Sequence, residues 1–145
     1  MPRLAPTFFI GIVPPAILAI DIHKLIVASQ SGVLRWIDAQ TMKSIGFVAI
    51  LINWGFAFWW FVLSLIIVAH YIRNIQLPYA LSWWAFTFPL GALSIASGVV
   101  AKVTGCNICQ VLFLLVLAIY LGIWSIVTYK TIGNTLSGKV FQPTH

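Results

Sequence analysis

Hydrophobic positions in this chain gather into long runs, and the charges fall between the runs. Uncharged stretches cover residues 4–20, 44–72, 74–101 and 103–129. A helix needs about 20 mostly apolar residues to cross a hydrocarbon core about 30 Å thick, so each run approaches or exceeds one crossing. The pattern predicts an all-α polytopic membrane protein with four transmembrane helices in two hairpins, at about residues 6–26, 45–72, 82–103 and 106–130. Residues 131–145 read as a polar tail without periodicity. The polar stretch at 27–43 reads as a connecting loop. Its 32–42 portion has roughly helical spacing, which leaves a short interfacial helix as the alternative.

Local chemistry refines each span. The first opens near Pro2 and Pro6 and is interrupted by Pro14 and Pro15, which withhold two amides and clash with the preceding turn. A kinked or locally unwound segment is expected there. It should face protein or a water-filled cavity, since lipid cannot satisfy the freed carbonyls. The second span is longer than one crossing requires, which implies tilt or a protruding end. Its Trp54, Phe56, Phe58, Trp59, Trp60 and Phe61 read as lipid-facing or interhelical packing rather than as a cofactor platform. Leu77-Pro78 turns the chain over a short loop, making helices two and three antiparallel neighbours. Ser82 is placed to cap the third span, which contains Pro89 and the small residues Gly91, Ala92, Ser94, Ala96, Ser97 and Gly98. Such small residues let another backbone approach closely. The fourth span is a plain Leu/Val/Ile helix suited to face lipid.

Composition narrows the function classes. With 61% hydrophobic and 7% charged residues, the chain is no soluble enzyme domain, and its abundant aromatics exclude disorder. The net charge of +6 comes from single cations between apolar runs. These are juxtamembrane anchors, so nucleic acid is not an expected partner and the lipid bilayer is. Met1–Arg3 leads straight into a long proline-interrupted run, so no removable signal peptide is read. Arg3, Arg73, Lys130 and Lys139 fall on one side and Lys24, Arg35, Lys43 and Lys102 on the other. That balance leaves orientation undetermined by charge.

Few residues suggest covalent or metal chemistry. Cys106 and Cys109 form a C-x-x-C at the mouth of the fourth helix, a spacing that suits a redox dithiol or half a metal site. Structural zinc needs four ligands, and only His23 and Asp21 share that end without any ligand spacing. Four-helix quinone-linked enzymes similar to vitamin K epoxide reductase carry such a pair, usually with a second pair that this two-cysteine chain lacks. The plainer alternative is two small apolar residues at a helix end. His23 and His70 end successive antiparallel spans at opposite faces, so they cannot share a haem. No G-x-S-x-G, P-loop or dinucleotide fingerprint is present. No metal, cofactor or enzymatic activity is expected.

The run Ser82-Trp83-Trp84-Ala85-Phe86-Thr87-Phe88-Pro89, followed by small residues, resembles the tellurite-resistance/dicarboxylate transporter family. That family includes slow-type anion channels and malate and sulfite exporters. Their penultimate helix opens with a very similar run. Val13-Pro14-Pro15-Ala16, the aromatic-rich second span and the plain last span extend the similarity more loosely over residues 6–130. The resemblance implies the last four helices of a ten-helix anion channel built as five hairpins around a central pore. Residues 4–26 and 82–103 would be inner helices, with kinks at Pro14, Pro15 and Pro89. Residues 45–72 and 106–130 would be outer ones. The position matching the family's pore-plugging phenylalanine is Phe88, with Phe86 the fallback in another register and Ala85 and Ala92 as further pore-lining candidates.

The function so implied is movement of small anions, such as C4-dicarboxylate, sulfite, chloride or nitrate, by a channel or proton-coupled exporter of the cell (plasma) membrane. Two hairpins cannot make five. The expected partners are therefore the anions, the bilayer, and a missing N-terminal half or another membrane chain, with a homo-oligomer as a further arrangement. The alternatives are a thiol oxidoreductase using Cys106 and Cys109, and a non-catalytic membrane subunit.

Overall fold

The structure, a computed structural model, describes residues 8–31, 38–75 and 83–136. Those residues are helical throughout, apart from short junctions: α1 Val13–Gln30, α2 Ala39–Ile75, α3 Trp84–Thr104 and α4 Asn107–Leu136. All four helices are long and apolar enough to cross a membrane. Large apolar side chains such as Ile52, Ile66, Ile108 and Leu114 lie exposed, a surface that lipid tolerates and water does not. The predicted Leu77-Pro78 turn, the cap at Ser82, Arg3, Arg35 and residues 137–145 lie outside the described residues.

The helices pack as two hairpins, α1 with α2 and α3 with α4, joined chiefly where α3 meets α1. α3 is the central element: 61% of its most apolar stretch is buried, against 11% for α4. Its small residues explain the difference. A Cβ on Gly91 would stand 3.4 Å from the Tyr120 ring of α4, and one on Gly98 would stand 3.3 Å from the Phe113 ring. Both pairs are seven residues apart, about two helical turns, and run in opposite directions along the two helices. Two glycines of α3 thus receive two aromatic rings of α4, where the sequence suggested close backbone approach.

Three boundaries differ from the sequence reading. Pro14 and Pro15 do not kink a helix interior. A 3₁₀ turn occupies residues 8–12, and α1 proper begins at Val13 with the prolines in its first turn. First-turn amides have no intrahelical acceptor, so their loss there costs nothing, and the fixed proline φ favours initiation. Of the stretch 27–43 read as a loop, residues 27–30 belong to α1 and 39–43 to α2, while 32–37, with most of the alternative interfacial helix, lie outside the described residues. Asp38 Oδ2 accepts the Thr41 amide at 2.8 Å and its hydroxyl at 2.9 Å, which starts α2 at Ala39. These two bonds, the amide first, hold the Asp38 carboxyl below its usual range. Finally, α4 continues six residues past Lys130 to Leu136, into the segment expected as tail. The Thr131 hydroxyl donates back to the Val127 carbonyl (2.7 Å) and accepts the Trp84 indole N–H (3.1 Å), while the Lys130 ammonium lies 5.1 Å from the Trp83 ring centroid.

The aromatic cluster of α2 does part of the joining. Trp60 donates its indole N–H to the Phe8 carbonyl at 2.8 Å, and Trp54 donates to Ser97 Oγ on α3 at 2.9 Å. Trp59 and Phe56 face outward. Phe9 is buried at the heart of the helix junction, edge-on to Phe86 of α3 (4.9 Å) and Phe61 of α2 (6.2 Å). Interhelical hydrogen bonds and close packing hold such a bundle, because lipid removes the hydrophobic drive between helices.

Candidate functional site

α3 carries the run that the sequence singled out, and its two phenylalanines point in different directions. Successive α-helical side chains are about 100° apart, so Phe86 and Phe88 cannot share a face. Phe86 is buried in the core, between Phe9 and the Trp83 ring at 6.0 Å. Phe88 is 64% exposed, although Thr87 and Pro89 on either side are buried. The Phe86 fallback therefore corresponds to a packing ring within this chain, and the exposed ring is Phe88.

Phe88 stands in a groove of about 430 Å³ between α1, α3 and α4. Ile17 and Ile20 form its α1 wall, Ala92 and Ile95 continue its floor along α3, and Tyr120 and Trp124 close its α4 side. Ala92 is buried at the groove, whereas half-buried Ala85 is not among its lining residues. Among the described residues no charged side chain lines the groove, so its described surface is apolar apart from hydroxyl and indole tips. Thr87 turns its own hydroxyl into the helix, donating to the Trp84 carbonyl at 2.8 Å.

Pro89 lies within α3, which is helical on both sides of it. Its missing amide leaves the Ala85 carbonyl without its helical donor. Tyr120 and Trp124 are wall residues that the sequence did not single out, because α4 reads as plain and lipid-facing. Their i, i+4 spacing, and the match of Phe113 and Tyr120 to the Gly91 and Gly98 spacing, is the signal that locates this face.

The cysteine pair lies elsewhere. Gly105, at φ 62°, ends α3 in the left-handed region that only glycine adopts freely, and Cys106 follows directly ahead of α4. The backbone amides of Cys109 and Ile108 and then the Cys109 thiol donate toward Cys106, holding its thiol below the usual range. Both cysteines are free. Among the described residues no three His, Cys, Asp or Glu side chains group closely enough to hold a metal ion.

Fold and surface define an integral, multi-pass helical membrane protein. The SLAC1 family profile, described as a voltage-dependent anion channel, matches residues 1–132, and the chain belongs to that family. Two proteins of Methanocaldococcus jannaschii are also similar. "Uncharacterized transporter MJ0762" is 33% identical over 102 residues, covering 70% of this chain and 30% of that protein. "Uncharacterized transporter MJ0576" is 34% identical over 102 residues, covering 70% and 29% respectively. The matched part of the chain thus spans about 30% of the length of these relatives. No solved structure matches. The family is one of channels and transporters rather than a known enzyme family.

Proposed function

We propose that this chain forms part of a pathway for small anions, such as C4-dicarboxylate, sulfite, chloride or nitrate, and that the Phe88 ring obstructs it. The observation that carries this reading is the exposure of Phe88 between two buried neighbours, on a groove walled by α1 and α3. An aromatic ring closes a narrow pore by bulk and dewetting and opens it by a rotamer change. Among the described residues, the groove places no carboxylate near a passing anion. Pro89 and the Pro14-Pro15 junction set the backbone from which the two proposed pore walls rise. Ala92, and Ala85 beyond the groove, would supply small lining positions. The remaining walls come from further membrane helices, supplied by an N-terminal half, another chain or other copies of this one. The membrane is the plasma membrane, and transport involves no covalent chemistry.

The test is anion flux into liposomes holding this chain, alone and together with a polypeptide supplying the rest of its relatives' length. Flux under either condition supports the pathway. Its absence under both, with inserted protein, overturns it in favour of a structural subunit. In the flux-competent preparation, Cys106→Ser/Cys109→Ser is expected to leave transport within about twofold of the parent, since the pair lies outside the groove and passive permeation needs no thiol. Abolished transport would favour the dithiol reading instead.

A further inference from the structure

The opposite end of the bundle holds a second concavity, of about 760 Å³, where α1 finishes, α2 starts and α3 finishes. Its polar lining is His23 and Gln30 from α1, Gln40, Lys43 and Ser44 from α2, and Lys102 from α3. Two lysines therefore line one cleft together with side chains that carry amide, hydroxyl and imidazole groups.

Among the described residues, no acid balances them. The whole chain contains only Asp21 and Asp38, and neither lines the cleft. Asp21 lies roughly 160° around α1 from His23 at helical geometry, and it sits 3.6 Å from Lys24 in an exposed i, i+3 pair. Asp38 spends its carboxylate on Thr41 at the start of α2.

A third side chain lines the same cleft. His23, itself half-buried, lies there together with the two lysines. Lys43 and Lys102 both line this space, and an anion held between two like charges is attracted by each.

We propose that this cleft is an oxyanion-binding site, taking a carboxylate, sulfate or phosphate group between Lys43 and Lys102, with His23 as a third contact. Its role as the entrance to a permeation path rests on the anion pathway proposed above; the binding itself does not. Ile26 and Phe47 line it as well, so the anion meets its charges against an apolar wall, where screening is weaker than on an open surface.

The chemistry is shared by dissolved anions and by lipid phosphate, and the experiment separates them. The full chain, with ¹⁵N-labelled histidine rings, is placed in nanodiscs of zwitterionic lipid and titrated with sulfate, phosphate or malate at constant ionic strength in chloride. A saturable shift of the His23 resonances, with His70 and His145 unmoved, is the expected result. Lys43→Gln/Lys102→Gln should weaken the apparent affinity by at least about tenfold, whereas Lys43→Arg/Lys102→Arg and Lys24→Gln should retain it. A second titration replaces the dissolved anion with increasing phosphatidylglycerol in the disc. A response there alone assigns the site to a lipid headgroup, and a response to dissolved anions assigns it to free oxyanions. No saturable His23 shift in either series overturns the proposal, as does an identical shift in the double glutamine protein. Flux without a His23 shift defeats the cleft and leaves the pathway standing, and a His23 shift without flux does the reverse.

Discussion

Phe88→Ala in the flux-competent assembly is expected to raise anion conductance by about tenfold, the change that removing ~1.4 kcal/mol from a barrier brings. The ring is 64% exposed, so its removal leaves no cavity in the helix core. Its neighbours hold the backbone in place: Pro89 is fully buried, and Thr87 is buried and bonded to the Trp84 carbonyl. What the substitution changes is the bulk standing in the groove with Ile17, Ile20 and Ile95. Phe86→Ala is the internal control. It removes a ring packed against Phe9 and Trp83, and cavities left by Phe→Ala changes cost about 3–5 kcal/mol. That protein should lose thermal stability in detergent without a rise in flux. Unchanged currents in Phe88→Ala with normal insertion would remove Phe88 from the pathway, and a rise in Phe86→Ala alone would move the obstruction there.

Gly11→Ala is expected to destabilise the α1–α2 hairpin by about 2–3 kcal/mol, the sum of an overpacking strain and a lost hydrogen bond. A Cβ at residue 11 would stand 2.6 Å from Cε2 of the Trp60 indole, well inside contact distance. A free indole would swing aside. This one is tethered, because its N–H donates to the Phe8 carbonyl at 2.8 Å on the same 3₁₀ turn. Moving the ring breaks that bond and leaves the Phe8 carbonyl with the longer 3.4 Å bond from Ser64 Oγ, in a segment with little water to replace the loss. Gly55→Ala is the matched comparison, since nothing lies within 4 Å of a Cβ there. Thermal unfolding in detergent should show a clear loss for the first and no loss for the second. Equal melting temperatures for Gly11→Ala and the parent would mean that the indole contact does not hold the hairpin together.

These two glycines also show where reading the chain stops. Gly11 and Gly55 are both glycines inside apolar runs, and nothing local distinguishes them. Only the approach of Trp60 makes one indispensable, and Trp60 is 49 positions away in sequence. The same holds for Gly91 and Gly98. Small-residue density in the third span signals close packing, but that the neighbour is a pair of rings from α4 depends on the register of the hairpin.

Phe86 and Phe88 illustrate the point at the site. The run from Trp83 to Pro89 marks the family on sight, and periodicity alone says that two phenylalanines two residues apart face different ways. Which of them is buried depends on where Phe9 and Trp83 come to rest, so burial of Phe86 and exposure of Phe88 were decided in three dimensions. The proline pair shows the converse. Its chemistry was legible, yet its effect depended on whether it fell inside a helix or at the start of one.

The lysine cleft was less legible still. Lys43 and Lys102 are isolated cations 59 positions apart, and each reads as an ordinary interfacial anchor. They become a cluster only because α1, α2 and α3 bring their ends together.

By itself, the sequence determined the membrane environment, the number of crossings and the family. Those properties follow from the length of apolar runs against the thickness of a bilayer and from one contiguous motif, both of which are local along the chain. Tertiary structure alone decided which phenylalanine stands in the groove, which glycines are irreplaceable and which cations converge. Each of those depends on helix register and on contacts between residues far apart in sequence, and no periodicity within a single helix encodes its neighbour's position.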